Sequence, residues 1–257
     1  MKIGILGKGT VGTAVYNGLA DLGHHMSFHD PGFPGSSIND VLVTELVFVC
    51  VPTDSTATGD CDTSIVESVC AELSARNYTG LVCIKSTVIP GTTDLLIQKY
   101  QNISICFVPE FLRAKTAYAD FILRHEVLVI GAYEQKHFDL VKESHGSYPQ
   151  SVVCIDPKAA EMSKYFHNVH NAMEITFANV IYSICANMNI DYQQVYEAIS
   201  KRSNISPSYL KAGDQWGSFG GHCLPKDTLA LANLQHKLGL DHSLITAILS
   251  DNEKFKK

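Results

Sequence analysis

Residues 2–12 read KIGILGKGTVG, and this stretch decides the fold. A short run rich in isoleucine and leucine, suited to a strand, is followed at once by Gly7-x-Gly9-x-x-Gly12 and then by a helix-like segment. In such an arrangement Gly7 permits a tight turn, Gly9 lets a pyrophosphate approach the backbone, and Gly12 lets the helix pack against the strand. The phosphates would lie at the helix N-terminus, where backbone N–H groups have no intrahelical partner. A second strand ends in Asp30, 18 positions after Gly12, where a carboxylate meets the ribose hydroxyls of a dinucleotide. No Arg or Lys follows Asp30 until Arg76. A 2′-phosphate would therefore face a carboxylate without a cation, and the pattern favours NAD over NADP.

Outward from this stretch, apolar runs alternate with helical ones. Strands are predicted at 2–6, 26–29, 45–51, 81–86, 103–108, 126–131 and 151–155. Several are apolar throughout, as strands covered on both faces must be. Helices are predicted near 10–22, 62–75, 91–100 and 134–145, which gives the βαβ rhythm of a parallel, doubly wound sheet. The texture changes at Asp156-Pro157, a good N-cap followed by a residue suited to the first helical position. From there to about Asn187 neither Gly nor Pro occurs, and a helix of that length spans roughly 45 Å. Further helices are predicted at 191–201, 225–238 and 242–255, with no strand pattern after 156. The expectation is an α/β protein in two parts: a Rossmann-like NAD-binding domain, 1–156, and an all-helical domain, 157–257, entered through a long connecting helix.

Composition narrows the function. The chain has 257 residues, 46% hydrophobic and 18% charged, with a formal net charge of −6. A sizeable core is expected, and the acidic balance argues against a nucleic-acid binder. The opening lacks the pattern of a signal peptide, and no apolar run is long enough to span a bilayer. The eight cysteines include no CxxC pair and no zinc-like spacing. Cys50, Cys83, Cys106 and Cys154 stand in strand-like runs and read as small buried hydrophobes in a reducing cytoplasm. The eleven histidines cluster at His24-His25 and near His167 and His170 without a nameable metal partner, so no metal site is expected.

Cys223 differs from the strand cysteines. It lies in FGGHCLPKDT, 219–228, among glycines, a proline and charges, which suits a nucleophile better than a packed thiol. Lys164 and Asn168 are four apart and share a helix face, where an ammonium and a carboxamide can donate to one developing oxyanion. A thiolate is the attacking species, so a nearby ammonium such as Lys164 would favour it. Asp227 follows one turn after Cys223, in reach of a water or a proton. Singly, each of these residue types is commonly structural; their company in one chain is what points to chemistry.

Five motifs in order resemble the UDP-glucose/GDP-mannose dehydrogenase family over nearly the whole chain: VPTD (51–54) followed by DTSIV (62–66), KSTVIPGTT (85–93), PEFLR (109–113), AEMSKYFHN (160–168) and FGGHCLPKDT. The resemblance implies two-step oxidation of a sugar C6 alcohol to a carboxylate with NAD, UDP-glucose to UDP-glucuronate as the first choice. It implies Cys223, Lys164, Asn168, Asp227, Thr87 and Glu110 as catalytic residues. Cys223 would attack the intermediate aldehyde, and the thiohemiacetal would be oxidised to a thioester. Thr87 and Glu110 would serve the hydrolytic water. The cofactor set implied is Gly7, Gly9, Thr10, Val11, Gly12, Asp30, Val51, Pro52, Thr53, Ser86, Thr87 and Lys226. The sugar nucleotide would meet Glu110, Phe111, Leu112, Lys164, Asn168, Tyr209, Leu210, Lys211, Phe219 and Gly220.

Three departures stand against the family pattern. Ala114 takes the place of a glutamate that faces the cofactor. Asn204 takes the place of an arginine that reaches the neighbouring subunit, with Arg202 offset by two. The chain also ends at SDNEKFKK, where family members continue into a UDP-binding α/β domain. The resemblance implies a homodimer built on the long helix. The expectation is a cytoplasmic enzyme, complete alone or with a partner chain that supplies the UDP-binding part. The alternative is a non-catalytic NAD-binding and assembly remnant.

Overall fold

The computed structural model describes residues 1–213 and 215–256. Cα packing divides the chain into two compact units: Met1–Asp54 with Asp62–Lys164, and Ser55–Cys61 with the residues from Tyr165 onward.

The first unit is built on a seven-stranded sheet in the order β2-β1-β3-β4-β5-β6-β7. The strands are β1 Lys2–Leu6, β2 His25–His29, β3 Leu46–Val49, β4 Leu81–Ile84, β5 Ser104–Phe107, β6 Val127–Gly131 and β7 Ser151–Ile155. The hydrophobic pattern explains the central strands. On β3 Leu46 and Phe48 join one core layer and Val47 and Val49 the other, and all four are fully buried. A strand covered on both faces carries no polar alternation.

The sheet is not wholly parallel as the βαβ rhythm suggests. β5 and β6 meet antiparallel at Phe107↔Gly131. An apolar run carries no direction; the connection decides it. Here that connection holds the PEFLR loop, a 3-10 turn at Ala114–Thr116 and the short α5, Ala117–Leu123, which the sequence pattern did not reveal. Cys154 also departs from expectation. It is exposed because β7 is the edge strand, with only Cys83 and Cys106 of the strand cysteines fully buried and Cys50 partly so.

The flanking helices are α1 Thr10–Asp21, the short α2 Ile38–Val41, α3 Ser64–Ala75, α4 Thr92–Lys99 and α6 Gln135–His145. α7 runs Pro157–Asn187. Its first turns pack tightly on β6: a Cβ at Gly131 would lie 2.8 Å from both the Ala160 Cβ and the Pro157 Cα. Buried Glu161 holds these turns to α4. Its carboxylate accepts from Gly91 N at 2.5 Å, Thr93 N at 2.7 Å and Thr93 Oγ1 at 2.6 Å, filling donors that the α4 N-terminus leaves open.

The second unit contains α7 from Tyr165 and three further helices, α8 Tyr192–Ile199, α9 Cys223–Lys237 and α10 Leu244–Lys254. Ala172, Phe219 and Ile248 form its small core cluster. The segment Ser55–Cys61 closes on itself through a Ser55↔Cys61 bridge. It is fastened to α9 by Asn233 Nδ2 donating to Thr58 O at 2.8 Å and Lys237 Nζ to Asp60 at 2.7 Å. Among the described residues no helix is long and apolar enough to cross a membrane.

α1 and α5 touch through Gly18. A Cβ there would lie 2.3 Å from Phe121 Cδ1, and Phe121 is fully buried. Gly18→Ala is expected to lower stability by about 1–3 kcal/mol through overpacking, read as a reduced urea midpoint; an unchanged midpoint would show that the two helices separate freely.

Candidate active site

The glycine-rich turn has the stereochemistry its sequence suggests. Gly7 sits at φ +90°, where other residues are strained. A Cβ on Gly12 would lie 2.0 Å from the Gly7 carbonyl oxygen, whereas one on Gly9 would meet nothing within 4 Å. The backbone face at Gly9 is thus open at the N-terminus of α1. Asp30, at the end of β2, accepts from Lys8 N at 2.6 Å and Gly32 N at 2.7 Å, so its carboxylate is fixed against the same turn. The Lys8 ammonium rests on the faces of Phe28, 3.6 Å from the centroid, and Tyr16, 4.1 Å away. These residues fit an NAD adenosine and pyrophosphate: an uncovered backbone cradle with a preset carboxylate beside it.

Past the ends of β3 and β4, Ser86 Oγ donates to Val51 O at 2.7 Å, which brings two expected cofactor residues together. Thr53 is buried and Pro52 exposed. Thr87 is half-buried on the same segment as Lys85. Lys85 was not singled out from the sequence, yet it organises this end of the sheet. Its side chain is fully buried, with the ammonium 3.1 Å from Glu110 Oε2 and 5.4 Å from the Phe48 ring centroid. Glu110 Oε1 accepts from Phe111 N at 3.0 Å. Burial pushes the Glu110 carboxyl up, but the charges of Lys85 and His125 outweigh it, and the net lies below the ordinary carboxylate value. The backbone oxygen of Glu110 accepts from Lys164 Nζ at 2.5 Å, and that ammonium lies 5.6 Å from the Phe111 ring centroid. The first unit therefore gathers Lys85, Glu110, Phe111 and Lys164 into one chain of contacts. Leu112 follows, half-buried.

The second unit gathers the remaining expected catalytic residues. Cys223 is the first residue of α9 and is exposed. Asp227, one turn later, is fully buried. Its Oδ2 accepts from Asn168 Nδ2 at 2.5 Å and its Oδ1 from Lys226 Nζ at 2.6 Å. Lys226, expected at the cofactor, thus directs its ammonium to Asp227. Phe219 is buried, and its backbone N and O are both bound by the Asn252 carboxamide, at 2.7 and 3.1 Å. Asn179 Nδ2 holds Gly217 O at 2.8 Å. Neither asparagine was recognised in the sequence, because each acts on backbone more than thirty residues away. Gly220 is exposed, and a Cβ there would meet nothing within 4 Å. Leu210 O accepts from Tyr192 Oη at 2.6 Å. Lys211 Nζ stands 5.5 Å from the Trp216 ring centroid, and Tyr209, which precedes Leu210, is half-buried. Asn204 and Arg202 are exposed.

Taken together, the sheet and glycine-rich turn define a dinucleotide-binding protein, followed by helices that carry an exposed cysteine. Comparison with known proteins is specific. Residues 35–149 match the model of the UDP-glucose/GDP-mannose dehydrogenase family NAD binding domain, and residues 158–254 that of the same family's central domain. GDP-mannose 6-dehydrogenase of Pseudomonas syringae pv. tomato is 32% identical over 82% of this chain and 51% of its own length. UDP-glucose 6-dehydrogenase of Haloferax volcanii is 29% identical over 98% of this chain and 70% of its own. The structure of a UDP-glucose dehydrogenase from Pyrobaculum islandicum superimposes with a TM-score of 0.87 at 28% identity, over 98% of this chain and 68% of that one. The chain belongs to the UDP-glucose/GDP-mannose dehydrogenase family, and its cofactor is NAD. It spans about half the length of the first curated relatives it matches.

The turn that follows PEFLR has its own brace. Asp120, buried on α5, accepts from Arg113 N at 3.0 Å, Arg113 Nε at 3.0 Å, Arg113 Nη2 at 2.8 Å, Thr116 Oγ1 at 2.9 Å and Arg124 Nε at 2.6 Å. The Arg113 hydrogen bonds, helped by Arg124 and Thr116, hold its carboxyl well below the usual range despite burial. A depressed folded value contributes stability that is complete above the unfolded value, about 3.9, and is lost as pH falls through the folded one. Asp120→Asn is expected to remove about 1–3 kcal/mol at neutral pH. It should also flatten the loss of stability between about pH 5 and pH 3. Urea titrations across that window check it; parallel acid limbs in variant and wild type would contradict it.

Proposed function

We propose that the chain carries the catalytic part of an NAD-dependent nucleotide-sugar 6-dehydrogenase, with UDP-glucose oxidised to UDP-glucuronate. The single observation that carries the reading is Cys223, exposed at the start of α9, one turn from an Asp227 carboxylate fixed by Asn168 and Lys226. UDP-glucose is preferred because the Haloferax relative of that activity aligns over 98% of the chain. The GDP-mannose relatives, at 31–32% identity over 82%, support GDP-mannose as the second choice. The nucleotide would be held in part by protein outside these 257 residues, whether continuous with them or on a partner chain.

Two NAD molecules, bound in turn, would supply the hydride acceptor, one for each oxidation. Gly7, Gly9, Thr10, Val11 and Gly12 seat its pyrophosphate, Asp30 its ribose, and the 51–53 and 86–87 segments line it. In the first oxidation the C6 hydroxyl loses its proton and C6 a hydride, leaving an aldehyde. The Cys223 sulfur then adds to that carbon, and the Lys164 ammonium and Asn168 carboxamide donate to the oxygen as it gains charge. Loss of the second hydride makes the thioester. Water, aligned by Asp227, Thr87 and Glu110, hydrolyses it to the carboxylate and returns the thiol. Phe111, Leu112, Tyr209, Leu210, Lys211, Phe219 and Gly220 would enclose the sugar nucleotide.

Assembly is part of the same proposal. Met162, Phe166, Phe177 and Ile184 are all exposed on α7. At 100° per residue they fall within an arc of about 60°, an apolar stripe along one side of the helix. A homodimer built on that stripe is expected, and light scattering at micromolar concentration should return twice the chain mass; a monomeric mass would refute it. Cys223→Ala is expected to bind NAD within about twofold of wild type, since no cofactor contact is removed, and to form no carboxylate. Carboxylate production by that variant at a rate near wild type would end the nucleophile reading.

A further inference from the structure

The braced turn after PEFLR presents a cation that the expected site residues do not include. Lys115 lies on the 3-10 turn Ala114–Thr116 and is exposed. Among the described residues its ammonium has neither an ion-pair nor a hydrogen-bond partner. The neighbouring cations are engaged: Arg113 and Arg124 both pair with Asp120, at 2.8 and 2.6 Å. Lys115 lines a cavity of about 660 Å³ with Gly9, Thr10, Thr13, Thr116 and Tyr118. No other charged side chain lines that cavity. Its opposite wall is the open backbone face at Gly9 and the first turn of α1, where partial positive charge already gathers. Ala114, the preceding lining residue, contributes only a methyl group.

We infer that Lys115 is a second anchor for the dinucleotide pyrophosphate, set across the cavity from the glycine-rich turn. The reasoning is electrostatic. A diphosphate at the α1 N-terminus brings two negative charges into a cavity whose one ionised lining group is an ammonium. Asp120 does not touch that cavity but fixes the backbone on both sides of Lys115, through Arg113 N and Thr116 Oγ1. The turn is therefore held before the ligand arrives, and little order has to be gained on binding. An unpaired lysine is otherwise unremarkable on a surface; its position in the wall of the phosphate cavity, on a turn held by five donors to one carboxylate, is what assigns it a ligand.

This inference rests on the cofactor reading above, and the test separates the two. NADH is titrated by its fluorescence into the wild-type chain and into Lys115→Ala, Lys115→Arg and Lys115→Glu, each checked for wild-type circular dichroism, at low salt and near 0.5 M NaCl. ADP-ribose competition is run on the same samples. Lys115→Ala should weaken NADH by about three- to tenfold at low salt, the loss expected of one charge-assisted contact. High salt should shrink that gap. Lys115→Arg should stay within about twofold of wild type, and Lys115→Glu should bind more weakly than Lys115→Ala. ADP-ribose should show the same order, which excludes the nicotinamide, and the salt dependence then points to the charged diphosphate. Equal NADH affinity of wild type and Lys115→Ala at both salts overturns the Lys115 assignment alone. So does a loss seen with nucleotide sugar but not with NADH. Failure of wild type to bind NADH at all overturns the cofactor reading, and this inference with it.

Discussion

A lysine ammonium with no exposed side-chain surface, facing one carboxylate across 3.1 Å, fixes the geometry on which the first unit depends. Taking both charges out of water is costly, and only close pairing offsets it. Lys85 and Glu110 therefore constrain each other strongly: neither can lose its partner without leaving an unpaired charge in the core. Lys85 lies just past β4 and Glu110 beyond β5, so the pair locks the ends of two adjacent strands. Glu110 transmits the constraint further. Its side chain faces Lys85 while its own carbonyl receives the Lys164 ammonium. A core ion pair thus determines where a lysine on α7 holds its charge. Such a pair need not add net stability over an apolar packing of the same volume. Its value here is positional, since an apolar pair would leave the Glu110 backbone free to turn.

A parallel arrangement exists in the second unit, with polar groups in place of a hidden salt bridge. Asp227 is buried and receives one donor on each oxygen. Cys223, on the same helix face one turn earlier, is exposed. The acidic group is thereby immobile and the thiol accessible. A nucleophile has to reach its carbon, whereas a group that aligns water has to hold still. The contrast in burial within one turn of α9 would suit the roles proposed for the two residues.

What could be read from the sequence follows from how local each signal is. The glycine-rich turn, the α7 start at Asp156-Pro157 and the central strands depend on neighbours in the chain, and their positions were evident. The one-turn spacing of Cys223 and Asp227 on α9 was legible for the same reason. The direction of β6 was not, because an apolar run reads the same both ways. α5 and its preceding 3-10 turn were too short to show a period. Lys85, Asp120, Asn179 and Asn252 were missed for another reason. Each is an ordinary polar residue whose importance comes from a partner brought near by folding: Glu110, Arg113, Gly217 and Phe219. Cys154 shows the same limit from the other side, since a strand's place at the sheet edge is not written in its own residues.

The seven residues Ser55–Cys61 carry a consequence for how this protein can be divided. They are held to α9 through Thr58 and Asp60, while the chain on either side of them belongs to the first unit. The polypeptide therefore passes from one unit to the other three times rather than once. A recombination event, or an engineered chimera, joined anywhere in α7 would graft a foreign α9 onto a resident 55–61 segment. The close approach of Gly59 to Leu229, where a Cβ would lie 2.7 Å from Leu229 Cδ2, and the pairing of Asp60 with Lys237 would have to survive that exchange. The two halves are modular in composition but not in inheritance: whatever replaces the helical part must bring its own version of a loop written more than a hundred residues upstream.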